Sequence, residues 1–303
     1  MLALLRHPAC MAHHNGPFHP ESPERLAAIE LRLESDLVSR GAAFWLEAPA
    51  ASREDLLRVH SEEHLRLLER MDLAGGGALD ADTWMGPGSL EAALRAAGAA
   101  VRAAERAMAG DGPSFCAVRP PGHHATPTQG MGFCLFNNAA VAARVALDRL
   151  GAERVLIVDW DVHHGNGTAD AFRVEPRVRY VSIHEWRRYP GTGAQADEGC
   201  GNLFHVPRPA GLPASVYSGD LLGAVDRALA GFDPSLLVFS AGFDGLRGDA
   251  LGGFTWEPED YAALTLAVRA RAPAAGAVSV LEGGYDPQRT AEAAALHAAA
   301  LAA

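Results

Sequence analysis

The chain has 303 residues, 49% of them apolar, with 26 basic and 37 acidic side chains and a net charge of −11. An apolar fraction that high, with only 21% charged residues, excludes dominant disorder and is enough to bury a full core. The acidic balance argues against nucleic acid as the main ligand, and no apolar run reaches the roughly 18 residues that span a bilayer.

The opening MLALLRHPAC is too short for a signal peptide and has no basic leader. Cys10, Cys116, Cys134 and Cys200 lie far apart with no C-x-x-C pair, which fits a reducing, cytoplasmic setting. His13, His14 and His19 around Asn15-Gly16 predict a flexible loop near a site. Ser22-Pro23 then starts a helix as N-cap and first-turn proline, with Leu26, Ile29, Leu33 and Leu37 on one face. His60 and His64 stand at i and i+4 in a helix-like stretch. No carboxylate pattern accompanies them, so they read as a packed or solvated face. Ser89 is the expected cap of an alanine-rich helix ending near Met108.

A strand-like run over 114–118 leads into a Pro/Gly loop, 119–132, and a helix over 137–150. Buried strands are predicted at 154–159, 178–184, 236–241 and 277–281. Helices over 213–230, 259–271 and after Pro287 complete the pattern, with Gly-rich loops at 189–201 and 242–253. Strands separated by helices predict an α/β fold: one open, doubly wound parallel sheet with helices on both faces. No linker or repeat divides residues 1–303, which read as one domain.

In such sheets ligands bind beyond the carboxyl ends of strands. One strand runs out through Asp159-Trp160-Asp161-Val162-His163-His164, and in extended backbone Asp159, Asp161 and His163 share a side. A carboxylate and an imidazole so placed form half of a zinc or manganese site. A second strand ends at Asp244, a third at Glu282-Gly283-Gly284-Tyr285, and His123-His124 follow two stiffening prolines. Singly, each reads as a helix cap, a solvated turn or a rim tyrosine. Together they outweigh coincidence.

The segments HNGPFHPESPERL, PPGHHA, GFCLFNNAAVAA, VDWDVHHGNGT, PGTG, SAGFDGLRGDALGG and LEGGYD closely resemble the zinc-dependent histone deacetylase family, including its bacterial, class II-like amidohydrolase branch. The resemblance runs from about His14 to Asp286. It implies a single-domain arginase/deacetylase fold and a deacetylase that hydrolyses N-acetyl-lysine or a related small acylated amine. It also implies zinc held by Asp161, His163 and Asp244, with iron(II) as a substitute in the cell. His123 and His124 would share acid–base work, oriented by Asp159 and Asn166, and Tyr285 would support the oxyanion. Gly132, Phe133 and Tyr189 would line a tunnel, with Leu251 and Asp82 at its mouth. Potassium is implied at Asp159, Asp161, His163, Ser182 and Ile183, and a second ion at Phe172, Glu175 and Val178.

The nearest rival is a binuclear manganese ureohydrolase, which needs bridging carboxylates where this chain has Gly165 and Leu246. A silent acyl-lysine reader would be expected to lose a ligand, a histidine or the tyrosine, and none is lost. An acetylpolyamine amidohydrolase is the alternative within the family. Apolar Leu251 offers a distal ammonium no partner, so acyl-lysine or small aryl amides are the expected substrates.

Overall fold

The computed structural model describes every residue except Pro17 and Ala196, together with the side chain of Asp197. Pro17 of the first-loop motif and Ala196 of the 189–201 loop therefore lie outside the described residues. The strands are β1 (Leu2–Arg6), β2 (Ala43–Glu47), β3 (Gly77–Ala78), β4 (Trp84–Met85), β5 (Ser114–Cys116) and β6 (Val155–Asp159). They continue as β7 (Val178–Glu185), β8 (Asp197–Glu198), β9 (Leu203–Arg208), β10 (Leu236–Ala241) and β11 (Gly276–Leu281). The helices are α1 (Ala9–Ala12), α2 (Pro23–Leu33), α3 (Arg53–Leu57), α4 (Glu62–Leu73) and α5 (Ser89–Met108). After them come α6 (Asn138–Asp148), α7 (Asn166–Phe172), α8 (Ala214–Leu229), α9 (Pro258–Arg271) and α10 (Pro287–Ala302).

Among the described residues the main sheet has the order β2-β1-β5-β11-β10-β6-β7-β9-β8. Its strands pair in parallel, except that β8 runs antiparallel to β9 at the edge. Every residue of β6 and β10 is buried, as expected of strands covered by helices on both faces. Helices α5 and α6 pack together against the sheet, while α2, α10, α9 and α8 form a second packed series.

Two local expectations change. Leu2–Arg6 is an interior strand between β2 and β5, with Leu2 through Leu5 buried. Its apolar run lacks β-branched residues, so sequence alone left it unassigned. Ser89 does not cap α5. Gly88, in the left-handed region at φ 82°, precedes the helix, and Ser89 is its first residue. The Ser89 hydroxyl accepts the Gly86 N–H at 2.9 Å and bonds His13 at 2.8 Å, which ties the first loop to this helix. At the other predicted cap Ser22 does precede α2, but its side chain makes no capping bond.

Alanine at two helical glycines should have opposite effects. In α5 a Cβ on Gly98 would overlap the Pro49 carbonyl and lie 2.6 Å from the Ala51 nitrogen. In α8 a Cβ on Gly219 meets open space. Gly98→Ala should destabilise by about 1–3 kcal/mol in urea unfolding, whereas Gly219→Ala should stabilise by roughly 1 kcal/mol. The same sign at both positions would contradict this packing.

Candidate metal and active site

The strand order places the ends of β5, β11, β10, β6 and β7 side by side, and the singled-out residues lie just beyond them. Asp161, His163 and Asp244 are buried and present donor atoms within 4.8 Å of one another. His163 Nδ1 lies 3.0 Å from Asp161 Oδ1 and 3.0 Å from Asp244 Oδ2. Backbone amides fix the carboxylates: Gly283 N–H donates to Asp161 Oδ2 at 2.9 Å, and Val162 N–H to Asp244 Oδ1 at 2.8 Å. Gly242 and Gly283 are required by close approach, because a Cβ on either would overlap these carboxylates. Burial, and then the neighbouring Asp161, push the Asp244 carboxyl up to about 7. The cluster holds more negative charge than its imidazole balances.

Two histidines with different surroundings stand beside it. His123 Nδ1 is 3.1 Å from Asp159 Oδ2, which also accepts the Tyr180 hydroxyl at 2.8 Å. Burial opposes a charge on His123, but Asp161 and Asp159 outweigh it and push the imidazole up to about 10. His124 Nδ1 is 2.8 Å from Asn166 Oδ1. Burial, then His123 and His163, hold His124 well below the usual imidazole range, so it is neutral. Burial and Asp244 raise the Tyr285 phenol well above 10, which keeps it a hydrogen-bond donor.

A cavity of about 180 Å³ opens onto this centre. His124, His163 and Tyr285 line it, with Gly132, Phe133, Tyr189, Leu251 and Asp82, so the expected tunnel residues share one space. Arg188, which sequence reading did not single out, lines it too. His19 from the first loop packs edge-on against Phe133, with ring centroids 4.5 Å apart. His60 and His64 are remote structural groups. Their rings bond the Thr126 carbonyl at 3.0 Å and the Leu135 carbonyl at 2.9 Å.

Several supporting residues were missed. Glu282 accepts the N–H groups of Gly122 and His123 at 2.6 and 3.1 Å and the Ser240 hydroxyl at 2.9 Å, so it anchors the histidine loop. Asp249 accepts the N–H groups of Tyr285 at 2.7 Å and Leu251 at 2.9 Å. Beneath Tyr285 lies a buried ionic network. Glu21 pairs with Arg25 at 2.9 Å and, through both its carboxylate oxygens, with the Nε and Nη2 of one edge of the Arg119 guanidinium. Arg25 in turn donates to the carbonyls of Glu282 and Gly284 and lies 4.9 Å from the centre of the Tyr285 ring. A charged residue within a loop motif carries no sequence sign that it is buried, so only the fold exposes these roles.

The two expected potassium sets differ. Asp159 and Ser182 stand opposite each other in register, which brings the first set to adjacent strand ends. At the second set the Asn202 side-chain amide already faces the carbonyls: Nδ2 is 2.8 Å from Phe172 O, 3.1 Å from Glu175 O and 3.0 Å from Val178 O. The Cys200 N–H, donating to Asn202 Oδ1 at 3.2 Å, fixes the amide's orientation. A neutral donor thus fills the place expected for the second cation.

Residues 19–301 match the family model described as "Histone deacetylase domain". The chain belongs to the histone deacetylase family. Among its relatives, a "Probable deacetylase" of Methanothermobacter thermautotrophicus is 41% identical, over 91% of this chain and 83% of that protein. A "Histone deacetylase-like amidohydrolase" of Pseudomonas aeruginosa is 40% identical, over 88% of this chain and 73% of the relative. The crystal structure of the HDA15 HD domain superposes with a TM-score of 0.91 at 34% identity, covering 97% of this chain and 89% of that one. This histone deacetylase-family chain accordingly has the arginase/deacetylase fold and the amidohydrolase character of its family.

Burial and charge in the Glu21 network predict a stability signature. Burial opposes the Glu21 charge, but Arg119 and His13 outweigh it and hold the carboxyl well below its ordinary 4.5. Its contribution is therefore complete above about pH 4.5 and is lost as pH falls through the depressed folded value. Glu21→Gln should cost roughly 3–5 kcal/mol at neutral pH by leaving buried arginines uncompensated. The gap from wild type in urea unfolding should hold from about pH 8 to 5 and narrow only in stronger acid. A loss below about 1 kcal/mol, or a gap that widens in acid, would contradict the network.

Proposed function

We propose that this chain is a zinc-dependent deacetylase that hydrolyses the amide of N-acetyl-lysine or a related acylated amine to the free amine and the matching carboxylate, acetate for the acetyl substrate. The observation that carries this reading is the meeting of the Asp161/His163/Asp244 cluster, neutral His124 and the Tyr285 phenol on one cavity.

The donor set fits a divalent ion. Two carboxylates and one imidazole converge with their remaining oxygens tied to backbone amides, and the surplus negative charge calls for a cation. Asp161, His163 and Asp244 would hold zinc, and their oxygen-rich character also suits iron(II). When bound there, the ion supplies Lewis acidity toward a carbonyl and lowers the pKa of a water. A single potassium ion would be held by the Asp159, Asp161, His163, Ser182 and Ile183 set, supported by the adjacent strand ends that carry Asp159 and Ser182. The Phe172, Glu175 and Val178 carbonyls do not fit one, because the Asn202 amide satisfies them.

The remaining chemistry belongs to the chain. Asn166 Oδ1 accepts from His124 Nδ1, leaving Nε2 with a free lone pair. His124 lines the cavity, so it takes the proton from the attacking water and returns it to the leaving amine. His123, whose Nδ1 lies 3.1 Å from Asp159 Oδ2 and whose ring centroid lies 4.0 Å from that of His124, would share this acid–base work. Tyr285 donates to the oxyanion, a contact typically worth about 3–4 kcal/mol. Phe133, Tyr189 and Leu251 give the methylene stem an apolar path.

Tyr285→Phe tests this division of labour. Its kcat on an acetyl-lysine peptide should fall by about 100-fold or more, with KM and metal content little changed. An unchanged kcat would assign the oxyanion to another group.

A further inference from the structure

Arg188 lines the cavity mouth but has no part in the chemistry described above. Its Nε donates to Glu185 Oε2 at 2.7 Å, and the same oxygen accepts the Gly253 N–H at 2.8 Å. Glu185 closes β7, so the guanidinium is anchored to the sheet by one edge. Its two terminal NH₂ groups make no hydrogen bond among the described residues. They are the face of a planar, permanently charged fork that remains open to a ligand.

Asp82 lines the same cavity and carries the opposite charge. Its Oδ1 accepts the Thr83 hydroxyl at 3.3 Å, its side chain also hydrogen-bonds that of Asp80, and no cation lies within ion-pair distance of it among the described residues. Burial and the Asp80 side chain raise the Asp82 carboxyl while the same contact lowers Asp80, so the pair holds negative charge between them. Arg188 and Asp82 do not pair with each other, so the mouth presents two separated, opposite charges around the apolar surface of Leu251, Phe133 and Tyr189.

We infer that Arg188 is a specificity residue that reads a carboxylate, and that the favoured substrate is an Nε-acyl-lysine with a free α-carboxylate, its α-ammonium facing Asp82. This rests on the amide-hydrolysing reading of the centre. With the acyl group at His124 and Tyr285, the lysine stem fills the apolar tunnel and its α-carbon reaches the mouth. The guanidinium fork matches a carboxylate with two parallel hydrogen bonds. A lysine inside a peptide offers neither charge at that point. A polyamine offers only cations, which Arg188 repels.

The test compares kcat/KM for Nε-acetyl-lysine and its α-amide, with an internal acetyl-lysine peptide as reference. The wild type should favour the free acid by about tenfold. Arg188→Ala should bring that ratio near one, and Arg188→Lys should retain part of it, because an ammonium keeps the charge but not the fork. Equal rates on acid and amide in the wild type, or an undiminished ratio in Arg188→Ala, would overturn the inference. Hydrolysis of the peptide alone would overturn it and leave the deacetylase reading standing. No hydrolysis of any of the three would overturn both.

Discussion

Four carboxylates, Asp159, Asp161, Asp244 and Glu282, are buried together at the ends of neighbouring parallel strands, and the rest of the structure answers to that constraint. Unpaired charge in a protein interior is expensive, so each oxygen must find a donor or a cation. Backbone amides of Gly122, His123, Val162 and Gly283, the Ser240 and Tyr180 hydroxyls, and two imidazoles supply part of the answer. Burial first, and neighbouring carboxylates after it, raise the Asp244 and Glu282 carboxyls to about 7. A divalent ion at Asp161, His163 and Asp244 would complete the compensation, and the same ion would supply the Lewis acidity that amide hydrolysis requires.

Precision at this centre is built from outside it. The Glu21, Arg25 and Arg119 network reaches from the first loop and α2 to the Gly283-Gly284-Tyr285 turn, so the phenol is placed by a helix far away in sequence. Asp249 ties the same turn to the loop that carries Leu251. Chemistry, tunnel wall and mouth are therefore coupled through hydrogen bonds rather than resting on independent loops.

Much of this was legible in the sequence because the signals were local. β-branched runs marked β6, β7, β10 and β11, and the residues following them carried the unusual chemistry. The order that makes those ends adjacent was not legible, since strand neighbours are set by non-local pairing. The strand β1 lacked branched residues, and Ser89 carried a capping signature that the left-handed Gly88 displaced. Arg188 stood beside another arginine and a tyrosine with no motif to mark it, and Asn202 showed no sign of its three-carbonyl environment. Such roles depend on what the fold brings within reach, which residue type alone does not encode.

A divalent ion that balances these buried carboxylates should be measurable both as bound metal and as stability. Metal analysis of the purified protein combined with thermal unfolding before and after chelation tests it directly. About one equivalent of zinc or iron per chain is expected, with a Tm that falls on chelation and recovers on adding zinc, and loss of both responses in Asp244→Ala. A chelated, metal-free protein that unfolds at the same temperature as the purified form would contradict it.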